Sequence, residues 1–126
     1  MKKPKGPLTG RKLADTIAAA ALAKKAERII ILNVEHVSSL CDWMVICQGN
    51  NPFQTRAIAD SIITVCSTRN TVPYLCEGLE GGRWIVVDFS DVLVHVFLPQ
   101  LRAYYAIEDL WPSAARFPVL EETGHV

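Results

Sequence analysis

No run of apolar residues in this chain approaches the roughly 20 needed to cross a bilayer as a helix. No two of its 4 cysteines form a CxxC pair, and neither sign of charge prevails, with 13 Lys and Arg against 13 Asp and Glu. Each shortage excludes something. Without an apolar span the chain is not expected to enter a membrane. Without net charge it lacks the broad basic field by which proteins capture bare nucleic acid, which argues against direct sequence-specific nucleic-acid binding. A nucleoprotein surface can still be bound through protein contacts. Cys41, Cys47, Cys66 and Cys76 are scattered among apolar neighbours, as in MVICQG. That argues against a disulfide framework or a zinc site and for buried, reduced thiols in a cytoplasmic protein.

Other absences concern the N-terminus and the number of domains. The start, MKKPKGPLTGRK followed by LADTIAAAALA, imitates a secretory signal, but Asp15 interrupts the apolar part, which is mostly alanine, and Lys24 and Lys25 follow at once. The reading is a mobile basic tail over 1–12 that runs into an amphipathic helix. With no internal repeat and no linker, residues 13–112 are expected to form one domain, large enough for a core without staples. Residues 113–126, which lack periodicity, are expected to be a C-terminal tail.

What is present centres on Arg83 to Pro99, RWIVVDFSDVLVHVFLP. It reads as two strands, Trp84 to Phe89 and Val92 to Leu98, joined by a two-residue turn at Ser90-Asp91. Phe89 then pairs with Val92, Asp88 with Leu93, Val86 with His95 and Trp84 with Phe97. Because strand residues alternate between faces, the hairpin has two unlike surfaces. One carries Ile85, Val87, Phe89, Val92, Val94 and Val96 and is wholly apolar, hence core. The other carries Trp84, Val86, Asp88, Leu93, His95 and Phe97.

Around the hairpin, Leu13, Ile17 and Ala21 recur at helical spacing. Ile29 to Val34 and Asp42 to Gln48 read as strands, the second apolar on both alternations and so covered on both sides. Asn51 and Pro52 open a helix that continues to about Arg69. Val72 to Cys76 is a short strand in an edge or entry position, and Gln100 to Trp111 a last helix closed by Pro112. The fold class is α/β (α+β): a single mixed sheet of about five strands flanked by helices.

The second hairpin face invites two readings. Trp84 and Phe97, with Leu93 beside them and Tyr105 one helix later, make an aromatic patch rimmed by Asp88, His95 and Arg102, the make-up of a protein-binding hot spot. Equally, an aromatic sheet face can be a second core under a helix. Asp88, Asp91 and His95 also lie near one another in sequence, as an acid/base or metal cluster would. A diagonal hydrogen bond between Asp88 and His95, with the imidazole N–H donating, is the simpler expectation, and neither a catalytic nor a metal-ligating residue is assigned. Gly49-Asn50-Asn51 at a helix start lacks the lysine of a P-loop, and no Asp-x-Asp pair follows. A nucleotidyltransferase-like enzyme or a nucleotide-binding module, the alternative function, is the weaker reading for that reason, and no cofactor is expected.

DWMVICQGN, QTRAIAD, RWIVVDFSDVLVHVFLP and LRAYYAIEDLW, in that order, resemble the ribosomal silencing factor (RsfS, Iojap-related) family. That family's pattern D-x-hhIhxGx, with h apolar, falls on Asp42 to Gly49, and Q-x-x-AIAD on Gln54 to Asp60. Its W-hhhD-hGDhhVHhF falls on Trp84 to Phe97. A basic residue, a tyrosine and LE-x-LW fall on Arg102, Tyr105 and Glu108 to Trp111. Ser90 stands where the family has glycine, and Ile107 varies the ending. The resemblance implies a nucleotidyltransferase-like fold without the catalytic site. It also implies a cytoplasmic translation repressor that binds the large ribosomal subunit, through its protein number fourteen, and blocks subunit joining. Under it, Trp84, Phe97 and Tyr105 are expected to anchor the partner, with Leu93, Asp88, His95 and Arg102 around them. Apart from the resemblance, an exposed patch of this make-up can also pair two free copies as a homodimer, in competition with the partner.

Overall fold

The computed structural model describes residues 6–120. Thr9 precedes α1 (Gly10–Ala23), whose Leu13, Ala14, Ile17, Ala18 and Ala21 are buried. β1 (Glu27–Asn33) and β2 (Trp43–Gln48) follow, then α2 (Pro52–Ser67) and β3 (Leu75–Glu77). The hairpin is β4 (Trp84–Asp88) and β5 (Val92–Phe97). After it come α3 (Pro99–Tyr105), a 3-10 turn at Ile107–Leu110 and β6 (Ala115–Val119).

The strands form one mixed sheet of six, in the order β3-β4-β5-β2-β1-β6, one strand more than expected. Among the described strands only β2 and β5 run parallel. α1 and α2 pack together across one face, over Ile29, Ile31, Val45, Cys47, Ile85, Val87, Val94 and Val96. The hairpin register is the one read from the sequence: Trp84 faces Phe97, Val86 faces His95 and Asp88 faces Leu93. β2 is central and covered on both sides, Val45 and Cys47 toward the two helices and Met44 and Ile46 toward the opposite layer.

Several boundaries differ from expectation, among them β3, which spans Leu75–Glu77 rather than Val72 to Cys76. Residues 1–5 of the expected N-terminal tail lie outside the described residues. Leu8, however, is already buried, its N–H donating to Thr71 Oγ1 at 2.8 Å, and α1 begins within the expected tail. The expected C-terminal tail is corrected likewise: 121–126 lie outside the described residues, but Ala115–Val119 pairs with β1 as an edge strand. Its signal was weak because Phe117 and Val119 are only half-buried and Pro118, between them, reads as a breaker, which an edge strand tolerates. The helix expected over Gln100 to Trp111 is two pieces, because Ala106 adopts a left-handed φ of 44° and stops α3. That turn folds the 3-10 segment back over the sheet.

Candidate functional site

The sheet face away from α1 and α2 is covered unevenly. Leu32, Val34, Met44, Ile46 and Phe97 form a second, smaller core, sealed by Leu101, Ile107, Trp111 and Ala114. Toward β4 the cover runs out: Trp84, Val86, Asp88 and Leu93 are half-buried, and Tyr105 at the end of α3 is 49% exposed. Part of the hairpin face is thus a second core, and the part toward β4 is open.

At the margin the aromatics form a stack. The Trp84 ring lies 4.8 Å from that of Phe97 and 4.8 Å from that of Tyr105. Tyr104 meets Tyr105 edge-on at 4.9 Å and is itself exposed. A cleft of about 320 Å3 opens beside the stack, lined by Trp84, Tyr105, Leu101, Arg83, Gly78 and Gly81. Gly78 is indispensable there: its φ is +87°, and a Cβ on it would overlap the Trp84 carbonyl oxygen.

The structure separates the seven residues expected at the site. Trp84, Tyr105, Leu93 and Asp88 reach the surface. Phe97, expected as an anchor, is 0% exposed, because α3 and Trp84 close over it. It carries the stack from beneath. His95 is buried as well, and in place of the expected hydrogen bond to Asp88 it accepts one from Trp84, whose Nε1–H donates to His95 Nδ1 at 3.0 Å. Asp88 Oδ1 instead accepts the Ser90 N–H at 2.8 Å, which fixes the turn. Asp91 Oδ2 accepts the Gly10 N–H at 2.6 Å and so holds the start of α1. Each of the two carboxylates and the imidazole is thus engaged separately. Among the described residues no three of His, Cys, Asp and Glu gather where they could hold a metal.

Arg102, expected as a rim charge, is a correction too: it is buried, in a network. Its Nε and Nη2 donate to Glu108 Oε2, each at 3.0 Å. Its Nη1 reaches the Arg28 carbonyl at 2.6 Å and Gln48 Oε1 at 3.3 Å. The left-handed turn at Ala106 is what brings Glu108 back over Arg102, and the pair clamps the end of α3 to β1 and β2.

Gln54 was not singled out in the sequence as a functional or structural key. Its N–H donates to Asn51 Oδ1 at 2.9 Å, its Oε1 accepts the Asn50 N–H at 2.7 Å, and its Nε2 donates to the carbonyls of Lys24 and Lys25. One side chain therefore caps α2 and ties it to the end of α1. The spacing Asn-Pro-x-Gln was the available signal.

Burial pushes the thiols of Cys41 and Cys66 up to about 11 and that of Cys47 to about 12, so none is a thiolate at neutral pH. Burial lowers His95 to about 4, against a partial opposing pull from Glu108. An unfolded chain takes up that proton first, near 6.5. Stability from the neutral ring is fully present above about pH 6.5 and falls away as pH drops to about 4, by ~3 kcal/mol in all. Denaturant titrations between pH 7 and 4 should show this decline in the parent and its absence in His95→Phe.

A family model described as "Ribosomal silencing factor during starvation" matches residues 7–125. Ribosomal silencing factor RsfS of Halalkalibacterium halodurans is 40% identical over 101 residues, covering 80% of this chain and 84% of that one. The Bacillus subtilis protein of the same name is 40% identical over 97 residues, covering 77% and 82%. A crystal structure of a Chromobacterium violaceum protein superposes with a TM-score of 0.81 at 29% identity, over 93% of this chain and 98% of that one.

Proposed function

This chain belongs to the ribosomal silencing factor family, and from that premise we propose that it docks on the large ribosomal subunit and keeps the small subunit from joining. The contact proposed is with the large subunit's protein number fourteen, and the consequence is repression of translation in the cytoplasm. The observation that carries the choice of surface is the open aromatic margin of the sheet. Trp84, Tyr105 and Leu93 supply the apolar centre, Asp88 and Arg83 the rim, while Phe97, His95 and Arg102 support them from below. Rigid aromatics with few charges at the centre are what interface hot spots are made of.

The relatives named above are silencing factors rather than enzymes, and the reading they support is action by occupancy, without turnover. Among the described residues no helix is long and apolar enough to cross a membrane. In the free protein the same margin would pair two copies, in competition with the ribosome.

The test is co-sedimentation of the protein with isolated large subunits, isolated small subunits and assembled ribosomes. Binding to large subunits alone, with subunit joining inhibited, is expected. Equal binding to both subunits would overturn the proposal. Tyr105→Ala should weaken docking by at least ~2 kcal/mol, roughly thirtyfold, with little change in melting temperature, since half of the side chain is in solvent.

A further inference from the structure

We infer that His95 is a positioning residue for the docking surface, one that fixes the Trp84 indole by accepting its N–H. This rests on the proposal that the aromatic margin meets the large subunit. Trp84 stands at the start of β4 and His95 one diagonal step away on β5, with the indole N–H 3.0 Å from Nδ1. The imidazole cannot turn away. It is buried, it stacks on Phe97 with ring planes 13° apart, and Val86 and Ile46 flank it on the neighbouring strands.

The chemistry is fixed by the same contact. Nδ1 can accept only while it carries no proton, so the ring proton sits on Nε2. Burial, which disfavours the charged ring, keeps the imidazole in that neutral form. The indole is therefore held by three contacts: its N–H by His95 and its rings by Phe97 and Tyr105. A side chain whose rotamer is set before encounter loses less freedom on docking. His95 thus acts on the partner through Trp84, without touching it.

The experiment has two arms on the same variants. His95→Phe keeps a ring but removes the acceptor, and His95→Asn puts an amide oxygen close to where Nδ1 was. In the free protein, the 1H–15N signal of the Trp84 indole N–H is followed for frequency and for solvent exchange. In the second arm, affinity for isolated large subunits is measured. The expectation is that His95→Phe moves the indole signal upfield, speeds its exchange and weakens docking by roughly fivefold, and that His95→Asn restores most of both. An unchanged indole signal in His95→Phe overturns the inference, and so does a shifted signal with unchanged affinity.

Should His95→Phe fail to fold, 15N shifts of the parent's His95 ring decide instead. The Nε2–H tautomer is expected, and a proton on Nδ1 overturns the inference. If the parent itself ignores large subunits, it is the proposed function that fails, and the indole and tautomer measurements still report on whether His95 holds Trp84.

Discussion

Val94→Asp is expected to unfold the domain. Val94 lies at the middle of β5, fully buried, between Val45 on β2 and Val87 on β4. It points into the layer that α1 and α2 cover, where the neighbouring side chains are apolar. A carboxyl there gains no partner, whether it stays ionised or takes up a proton, and the change of shape disturbs the packing that valine satisfied. The combined loss is on the order of 5 kcal/mol, against a total stability of about 5–15 kcal/mol for a domain of this kind. Val94→Ala, which only removes volume, should lower the denaturation midpoint yet leave a cooperative transition. A Val94→Asp protein that melts like the parent would mean that the assignment of hairpin faces is inverted.

Arg102→Ala should destabilise the fold by ~3–5 kcal/mol, because breaking a buried ion pair leaves the other charge without compensation. Glu108 would be that charge. Its Oε2 loses both guanidinium donors, and its Oε1 already lacks a hydrogen-bond partner. The Arg28 carbonyl and Gln48 Oε1 lose a donor in the same step. A surface rim charge would behave otherwise, acting on association rate and salt dependence with little change in stability. Urea midpoints distinguish the two. The double variant Arg102→Met with Glu108→Met should regain the part of the loss that comes from the stranded Glu108 charge, while the Arg28 carbonyl and Gln48 Oε1 still lack their donor. If Arg102→Ala keeps the parent's midpoint while its docking becomes salt-sensitive, the buried clamp is refuted. Because the clamp holds the end of α3, loss of docking in the Ala variant should follow loss of structure around Tyr105.

The hairpin register, the helix-facing layer and the doubly covered β2 were legible in the residues because alternation with period two is a local property. Ile85, Val87, Val94 and Val96 share a face in any hairpin with that turn, whatever packs against it. The start of α2 was legible for a similar reason, since Asn51 and Pro52 act within one turn of chain. β6 was not, because an edge strand with Pro118 in it acquires its identity only by pairing with β1, more than eighty residues earlier.

The candidate site divides the same way. Its cast came from the sequence: Trp84, Leu93, His95 and Phe97 on one face, with Tyr105 and Arg102 to follow. Which of them meet solvent was decided by how far α3 and the 3-10 turn extend over the sheet, and that depends on the left-handed turn at Ala106 and on the Arg102–Glu108 pair. Asp88 and His95 looked like partners because they are close in sequence, but Ser90 and Trp84 offered better-placed donors. Asp91 was engaged by Gly10, a residue 81 positions away. Local pattern determined which residues share a face. Only the tertiary structure decided which of those are covered and which hydrogen bonds they make, because burial and pairing belong to chain segments that no local pattern connects.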